Sequence, residues 1–163
     1  MRKVGIYIRV STEEQAKVDE GSIKNQTHGL RKYVEAENLK EDGKWGIIAD
    51  EYVDDGYSGK NLNRPELRRL LKDILNKKID TVIMTEISRL SRSVKNWCDL
   101  REFFKEHDAI FIALRQKFDT STAMGNAMLE FAIQFAQLER ELTAERVKAS
   151  KLQRASRGLW TGG

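Results

Sequence analysis

The sequence predicts an α/β protein in which a mostly parallel sheet is covered by helices and followed by one long C-terminal helix. Two observations carry this prediction. Apolar, β-rich runs at residues 4–10, 46–53, 81–87 and 109–114 are separated by stretches with helical spacing, and such alternation implies parallel strands joined by helical crossovers. From Met124 onward, Met124, Met128, Phe131, Phe135, Leu138 and Leu142 step by four and three, the spacing of an apolar seam on a single helix.

The first strand alternates with period two, so Val4, Ile6, Ile8 and Val10 face one way while Tyr7, Arg9 and Ser11 face the other. Ser22 is placed to cap a helix carrying Ile23, Leu30 and Val34. Pro65 suits the first turn of a second helix, with Leu67, Leu70, Leu71, Ile74 and Leu75 behind it, and Ser93 caps a third that runs through Phe104. Residues 56–63, rich in glycine and polar side chains, read as the most mobile loop. In sheets of this kind ligands bind beyond the carboxyl ends of the strands, where Ser11 and the segment from Ser88 to Arg92 both fall.

A chain of 163 residues with 40% apolar side chains fits one domain with a substantial core. Its formal charge of +4 and pI near 9.2 suit a polyanionic partner. The excess is concentrated in the last helix, where Arg140, Arg146, Lys148, Lys151, Arg154 and Arg157 outnumber Glu139, Glu141 and Glu145. A single cysteine, Cys98, excludes an internal disulfide framework, and His28 and His107 supply no Cys/His zinc cluster. No apolar run is long enough to span a membrane and the first residues lack a signal-peptide pattern, so the expectation is a soluble protein of a reducing cytoplasm.

The chemistry is concentrated where Ser11 lies two residues from Arg9, a permanent cation whose planar fork matches phosphate oxygens. A serine hydroxyl normally needs a base, yet neither histidine lies near a motif, which disfavours a Ser-His-Asp triad. What the sequence offers is a set of guanidiniums, Arg9, Arg64, Arg89 and Arg92, suited to holding a phosphate and spreading transition-state charge without a metal.

Five motifs appear in order along nearly the whole chain: Tyr7-Ile8-Arg9-Val10-Ser11-Thr12; Asp54-Asp55-Gly56-Tyr57-Ser58-Gly59 with Asn61-Leu62-Asn63-Arg64-Pro65; Ser88-Arg89-Leu90-Ser91-Arg92-Ser93; Asp119-Thr120-Ser121-Thr122-Ala123-Met124-Gly125; and Ala136-Gln137-Leu138-Glu139-Arg140-Glu141. Together they resemble the catalytic domain of the serine recombinases, most of all the large subgroup of phage integrases and mobile-element transposases. The resemblance implies a resolvase-like domain over residues 1–122, a dimerisation and DNA-contacting helix over 123–157, and at 158–163 the start of a linker to a DNA-binding region. It implies that Ser11 attacks the DNA backbone to form a 5′-phosphoserine link, with Arg9, Arg64, Arg89 and Arg92 activating the phosphate and Tyr7, Gln15 and Gln26 supporting the site. Glu139, Arg140, Lys148, Lys151 and Arg154 would meet double-stranded DNA, while Met124, Met128, Phe131, Phe135 and Leu138 would join a homodimer that assembles to a tetramer. No metal, ATP or other cofactor is implied, and the setting would be the cytoplasm, in association with the nucleoid, for a protein of bacterial, phage or mobile-element origin.

Smaller members of that family carry an aspartate immediately before the first paired arginine, where this chain has Ser88, so the role of that carboxylate is not transferred. Two other readings stay open. In one, a metal-dependent nuclease gathers Mg²⁺ with Asp50, Glu51, Asp54, Asp55 and Glu86; in the other, residues 124–157 form a non-catalytic coiled coil with a basic tail. Periodicity alone divides evenly between a seam packed on the domain's own core and a seam that overhangs it, although a helix of about 50 Å exceeds what a domain this small can cover.

Overall fold

The structure, a computed structural model, describes residues 1–10, 23–57, 62–91, 93–156 and 158. Five strands, β1 (Arg2–Val10), β2 (Gly46–Asp55), β3 (Thr81–Met84), β4 (Ile110–Ala113) and β5 (Phe118–Asp119), form one sheet in the order β2-β1-β3-β4-β5. The first four run parallel, and β5 pairs antiparallel with β4. The helices are α1 (Ile23–Lys40), α2 (Pro65–Leu75), α3 (Val94–Glu106) and α4 (Ala123–Ser156), and a 3-10 turn spans Ile87–Arg89.

The alternation in β1 divides the core in two. Val4, Ile6, Ile8 and Val10 pack with Leu30 and Val34 of α1, and with Trp45, Ile83 and Ile112. Tyr7 points to the opposite cluster, built from Tyr52, from Leu67, Leu70 and Ile74 of α2, from Trp97, Leu100 and Phe104 of α3, and from Leu129 of α4. Both faces of the sheet are therefore covered, which is why β1 from Val4 onward and all of β3 are buried.

Pro65 opens α2 as predicted, and Ser93 caps α3 by accepting the Asn96 amide at 3.5 Å. Helix α3 continues past Phe104 to Glu106, with His107 as its C-cap. Several boundaries move. β2 extends to Asp55 rather than residue 53, and the run at 81–87 is strand only to Met84, because Glu86 turns into the 3-10 segment. The two-residue β5 was not predicted, being too short to show a period. The proposed cap Ser22 and most of the loop at 56–63 lie outside the described residues.

The motif from Asp119 to Gly125 is a strand-to-helix connection. Asp119 Oδ1 accepts the Ser121 amide at 2.8 Å and the Ser121 hydroxyl at 2.6 Å, while Thr122 Oγ1 accepts the Gly125 amide at 2.9 Å as the cap of α4. Glycine is required at 125, since a Cβ there would lie 1.9 Å from the Asp119 carbonyl oxygen. The first turns of α4 then lie against the domain: Leu129 is buried and Ala132 and Ile133 pack on the core. Beyond Ile133 no α4 residue is buried among the described residues. The seam faces outward, with Phe131 at 73% and Phe135 at 53% exposure, so it is not the domain's own core.

Candidate active site

The carboxyl ends of β1, β2 and β3 lie side by side, and Arg9, Asp54 and the 3-10 turn after β3 stand there. Arg9 shares its strand face with Tyr7 and is fully buried. Its Nε donates to the Arg89 carbonyl at 3.2 Å, Nη1 to the Tyr57 carbonyl at 2.9 Å and Nη2 to the Ser88 carbonyl at 3.3 Å. Arg89 donates in return, its Nη1 reaching the Arg9 carbonyl at 2.9 Å.

Arg64 reaches the same carbonyls from the other side. It is the N-cap residue of α2, in extended conformation, and its side chain is buried. Its Nη1 donates to the Tyr7 hydroxyl at 2.7 Å and to the Arg89 carbonyl at 2.8 Å, and Nη2 donates to the Leu90 carbonyl. Because Arg64 offers no capping side chain, the α2 amides of Glu66 and Leu67 donate instead to the buried carboxylate of Asp54, each at 3.0 Å. Asp54 also accepts the Tyr7 hydroxyl at 2.7 Å, so carboxylate, phenol and guanidinium form a continuous buried chain.

Electrostatics follow from this burial. Desolvation lowers the Arg64 pKa from its ordinary value, with Tyr7 and Asp54 opposing the shift. The Tyr7 phenol is pushed well above the usual tyrosine range by burial, reinforced by Asp54 and only partly opposed by Arg64. Burying two guanidiniums costs several kcal/mol each, and three hydrogen bonds to each, at about 1.5–3 kcal/mol per bond, roughly offset that. Such an array adds little stability over apolar packing, so concentrated positive charge at a strand-end edge points to function.

Tyr7, Arg9, Arg64 and Arg89 are thus brought together. Gln26, buried on α1, accepts the Thr85 hydroxyl at 3.3 Å, near the end of β3. Ser11, Gln15 and Arg92 lie outside the described residues. Glu139, Arg140, Lys148, Lys151 and Arg154 are exposed along α4, as are Met124, Met128 and Leu138 of the seam. Sequence reasoning missed the support of the cluster: the carbonyls of residues 57 and 88–90, and the carboxylates of Asp54 and Glu86. The signal that could have found Asp54 is a carboxylate eleven residues before a helix whose N-cap, Arg64, lacks a capping side chain.

The carboxylates of the nuclease reading do not converge. Asp50 pairs with Arg69, which lowers its pKa; Glu51 pairs with Arg31 at 2.7 Å; Asp54 serves α2 and Tyr7; and Glu86 sits between Arg89 and Arg115. Among the described residues no group of three or more His, Cys, Asp or Glu side chains is placed to hold a metal ion. Nor is any helix long and apolar enough to cross a membrane.

A five-stranded, mostly parallel sheet with an arginine cluster at its strand ends and one long terminal helix defines the class, and a family model confirms it. The chain belongs to the family described as "Resolvase, N terminal domain", whose model matches residues 4–160. It is 38% identical over 113 residues to the DNA-invertase hin of Salmonella typhimurium, covering 69% of this chain and 58% of that protein. It is 29% identical over 143 residues to the transposon Tn917 resolvase of Enterococcus faecalis, covering 88% of this chain and 66% of the resolvase. The chain therefore spans less than two thirds of either relative. Among solved structures, the N-terminal catalytic domain of TP901-1 integrase superposes with a TM-score of 0.72 at 39% identity, covering 86% of this chain and 98% of that one.

Proposed function

We propose that this chain is the catalytic part of a site-specific DNA recombinase in which Ser11 cleaves and rejoins DNA through a 5′-phosphoserine intermediate, without metal or ATP. The observation that carries the reading is the convergence of Arg9, Arg64 and Arg89 at the carboxyl end of β1, the strand that Ser11 directly follows in sequence. The names of the invertase and resolvase relatives agree with it.

These arginines give N–H groups to neutral carbonyls, to the Tyr7 hydroxyl and to the Glu86 carboxylate. A phosphodiester at this edge competes for the same donors with an advantage, since charge-assisted N–H···O⁻ bonds are roughly twice as strong as neutral ones. The positive field also favours the serine alkoxide and the charge that develops on the equatorial oxygens. Because the phosphoserine conserves the energy of the broken linkage, the freed 3′ hydroxyl can reverse the step.

The exposed seam of α4, with Met124, Met128, Phe131, Phe135 and Leu138, joins two copies, and pairs of dimers assemble on double-stranded DNA. Arg140, Lys148, Lys151 and Arg154 meet its phosphates, with Glu139 beside them on the helix. The test is to incubate the full-length protein with nicked duplexes cut from the DNA flanking its own gene. A covalent adduct is expected that persists in EDTA and is lost in Ser11→Ala; an adduct that survives this substitution, or that requires Mg²⁺, contradicts the reading.

A further inference from the structure

Glu86 stands apart from the other carboxylates because it holds one residue of the cluster at both ends. Its backbone carbonyl accepts the Arg89 amide at 3.0 Å, fixing the 3-10 turn, and its Oε1 lies 3.1 Å from Arg89 Nη2. The carboxylate is itself anchored: Oε1 accepts the Ser88 hydroxyl at 2.7 Å, and Oε2 accepts Arg115 Nη1 at 3.1 Å from the turn after β4. Burial raises its pKa, but the Ser88 and Arg115 hydrogen bonds and the charges of Arg89 and Arg115 outweigh that, so the group stays below the ordinary glutamate value. It is an anion at neutral pH, unsuited to donating a proton.

We propose that Glu86 is a positioning residue for the arginine cluster: with Ser88 as its brace, its carboxylate orients the Arg89 guanidinium toward the scissile phosphate. The inference rests on the recombinase reading above and deepens it. The geometry favours orientation over competition with the phosphate. Two groups other than Arg89 fix the carboxylate, and with Nη1 on the Arg9 carbonyl and Nη2 on Glu86 both terminal nitrogens of Arg89 have set directions. Ser88, occupying a position from which a carboxylate could reach the same guanidinium, becomes a hydroxyl that serves a carboxylate two positions earlier.

The experiment compares wild type, Glu86→Gln and the double variant Glu86→Gln/Ser88→Asp in the full-length protein, measuring DNA binding, single-turnover adduct formation on the same nicked duplexes, and thermal stability. Glu86→Gln should slow adduct formation by roughly 10- to 100-fold with DNA affinity unchanged, the loss expected for removing a hydrogen bond to a charged group. The double variant should recover most of the rate, since Ser88 Oγ lies 2.7 Å from Glu86 Oε1 and aspartate there can present an oxygen to Arg89. A wild-type rate in Glu86→Gln overturns the inference while leaving the recombinase reading intact. A faster rate also overturns it, by making Glu86 a competitor of the phosphate. Loss of stability and rate together, with neither recovered in the double variant, overturns it in favour of a purely structural anchor. Absence of any adduct in wild type overturns the recombinase reading and this inference with it.

Discussion

Arg9 and Arg89, eighty residues apart in sequence, each donate to the other's backbone carbonyl, Arg9 Nε at 3.2 Å and Arg89 Nη1 at 2.9 Å. This reciprocal clamp ties the end of β1 to the 3-10 turn after β3, and Arg64 closes it by sharing the Arg89 carbonyl. Position and charge of the site are therefore set by the same bonds.

The two arginines should respond differently to lysine. Arg9→Lys leaves buried carbonyls without the fork that serves them, at about 1–3 kcal/mol for each unsatisfied group, so both melting temperature and cleavage should fall. Arg89→Lys, which gives up one carbonyl partner where Arg9→Lys gives up three, should lower the melting temperature less while cleavage falls roughly a hundred- to a thousandfold. Calorimetry with single-turnover cleavage separates them; equal stability losses in both variants contradict the account.

Gly125→Ala should be severely destabilising, because its Cβ meets the Asp119 backbone at 1.9 Å and neither strand nor helix can yield without moving the other. Gly29→Ala is the control. It lies exposed on α1 with open space around its Cβ, so alanine should stabilise by about 0.5–1 kcal/mol. Denaturant midpoints of the two variants should move in opposite directions.

Replacing Phe131 and Phe135 together by serine should leave the folded domain nearly as stable, since both are exposed, but should weaken self-association measured by sedimentation. Leu129→Ala, two residues before Phe131 on the opposite face of the helix and 1% exposed, should instead cost about 2–5 kcal/mol of stability. Unchanged self-association of the phenylalanine variant would remove the seam from the dimer.

Neutralising Lys148, Lys151 and Arg154 should weaken DNA binding across sequences. The slope of log K against log salt should flatten by roughly 0.9 for each phosphate that the variant no longer neutralises. Binding isotherms at several salt concentrations measure this, and an unchanged slope would place the DNA elsewhere.

Much of the fold was legible because β1 states its own alternation and the helices carry their caps: Val4, Ile6, Ile8 and Val10 enter one core and Tyr7 the other, and Pro65 and Ser93 open α2 and α3. The end of β3 was not legible, since Ile87 carries the apolar pattern past Met84 and Glu86 keeps an extended backbone up to the 3-10 turn. Phe118 and Asp119 pair as β5 without enough length to reveal a period. Periodicity showed that Phe131 and Phe135 share a stripe but not what covers it, because the same spacing serves a core and an interface. Within the site, the arginines declared themselves by chemistry, whereas Asp54 and Glu86 looked like metal ligands until their partners were visible. The depth of Arg9 and Arg64 had no sequence signature at all, being a property of what surrounds them.

The most direct measurement of the central claim is mass-spectrometric mapping of the DNA-linked peptide after the trapped adduct is digested with nuclease and protease. The account predicts a phosphate ester on Ser11, carried at the 5′ end of the cleaved strand, and none in Ser11→Ala. A linkage at another residue, or cleavage that leaves a free 5′ phosphate with no protein attached, would contradict it.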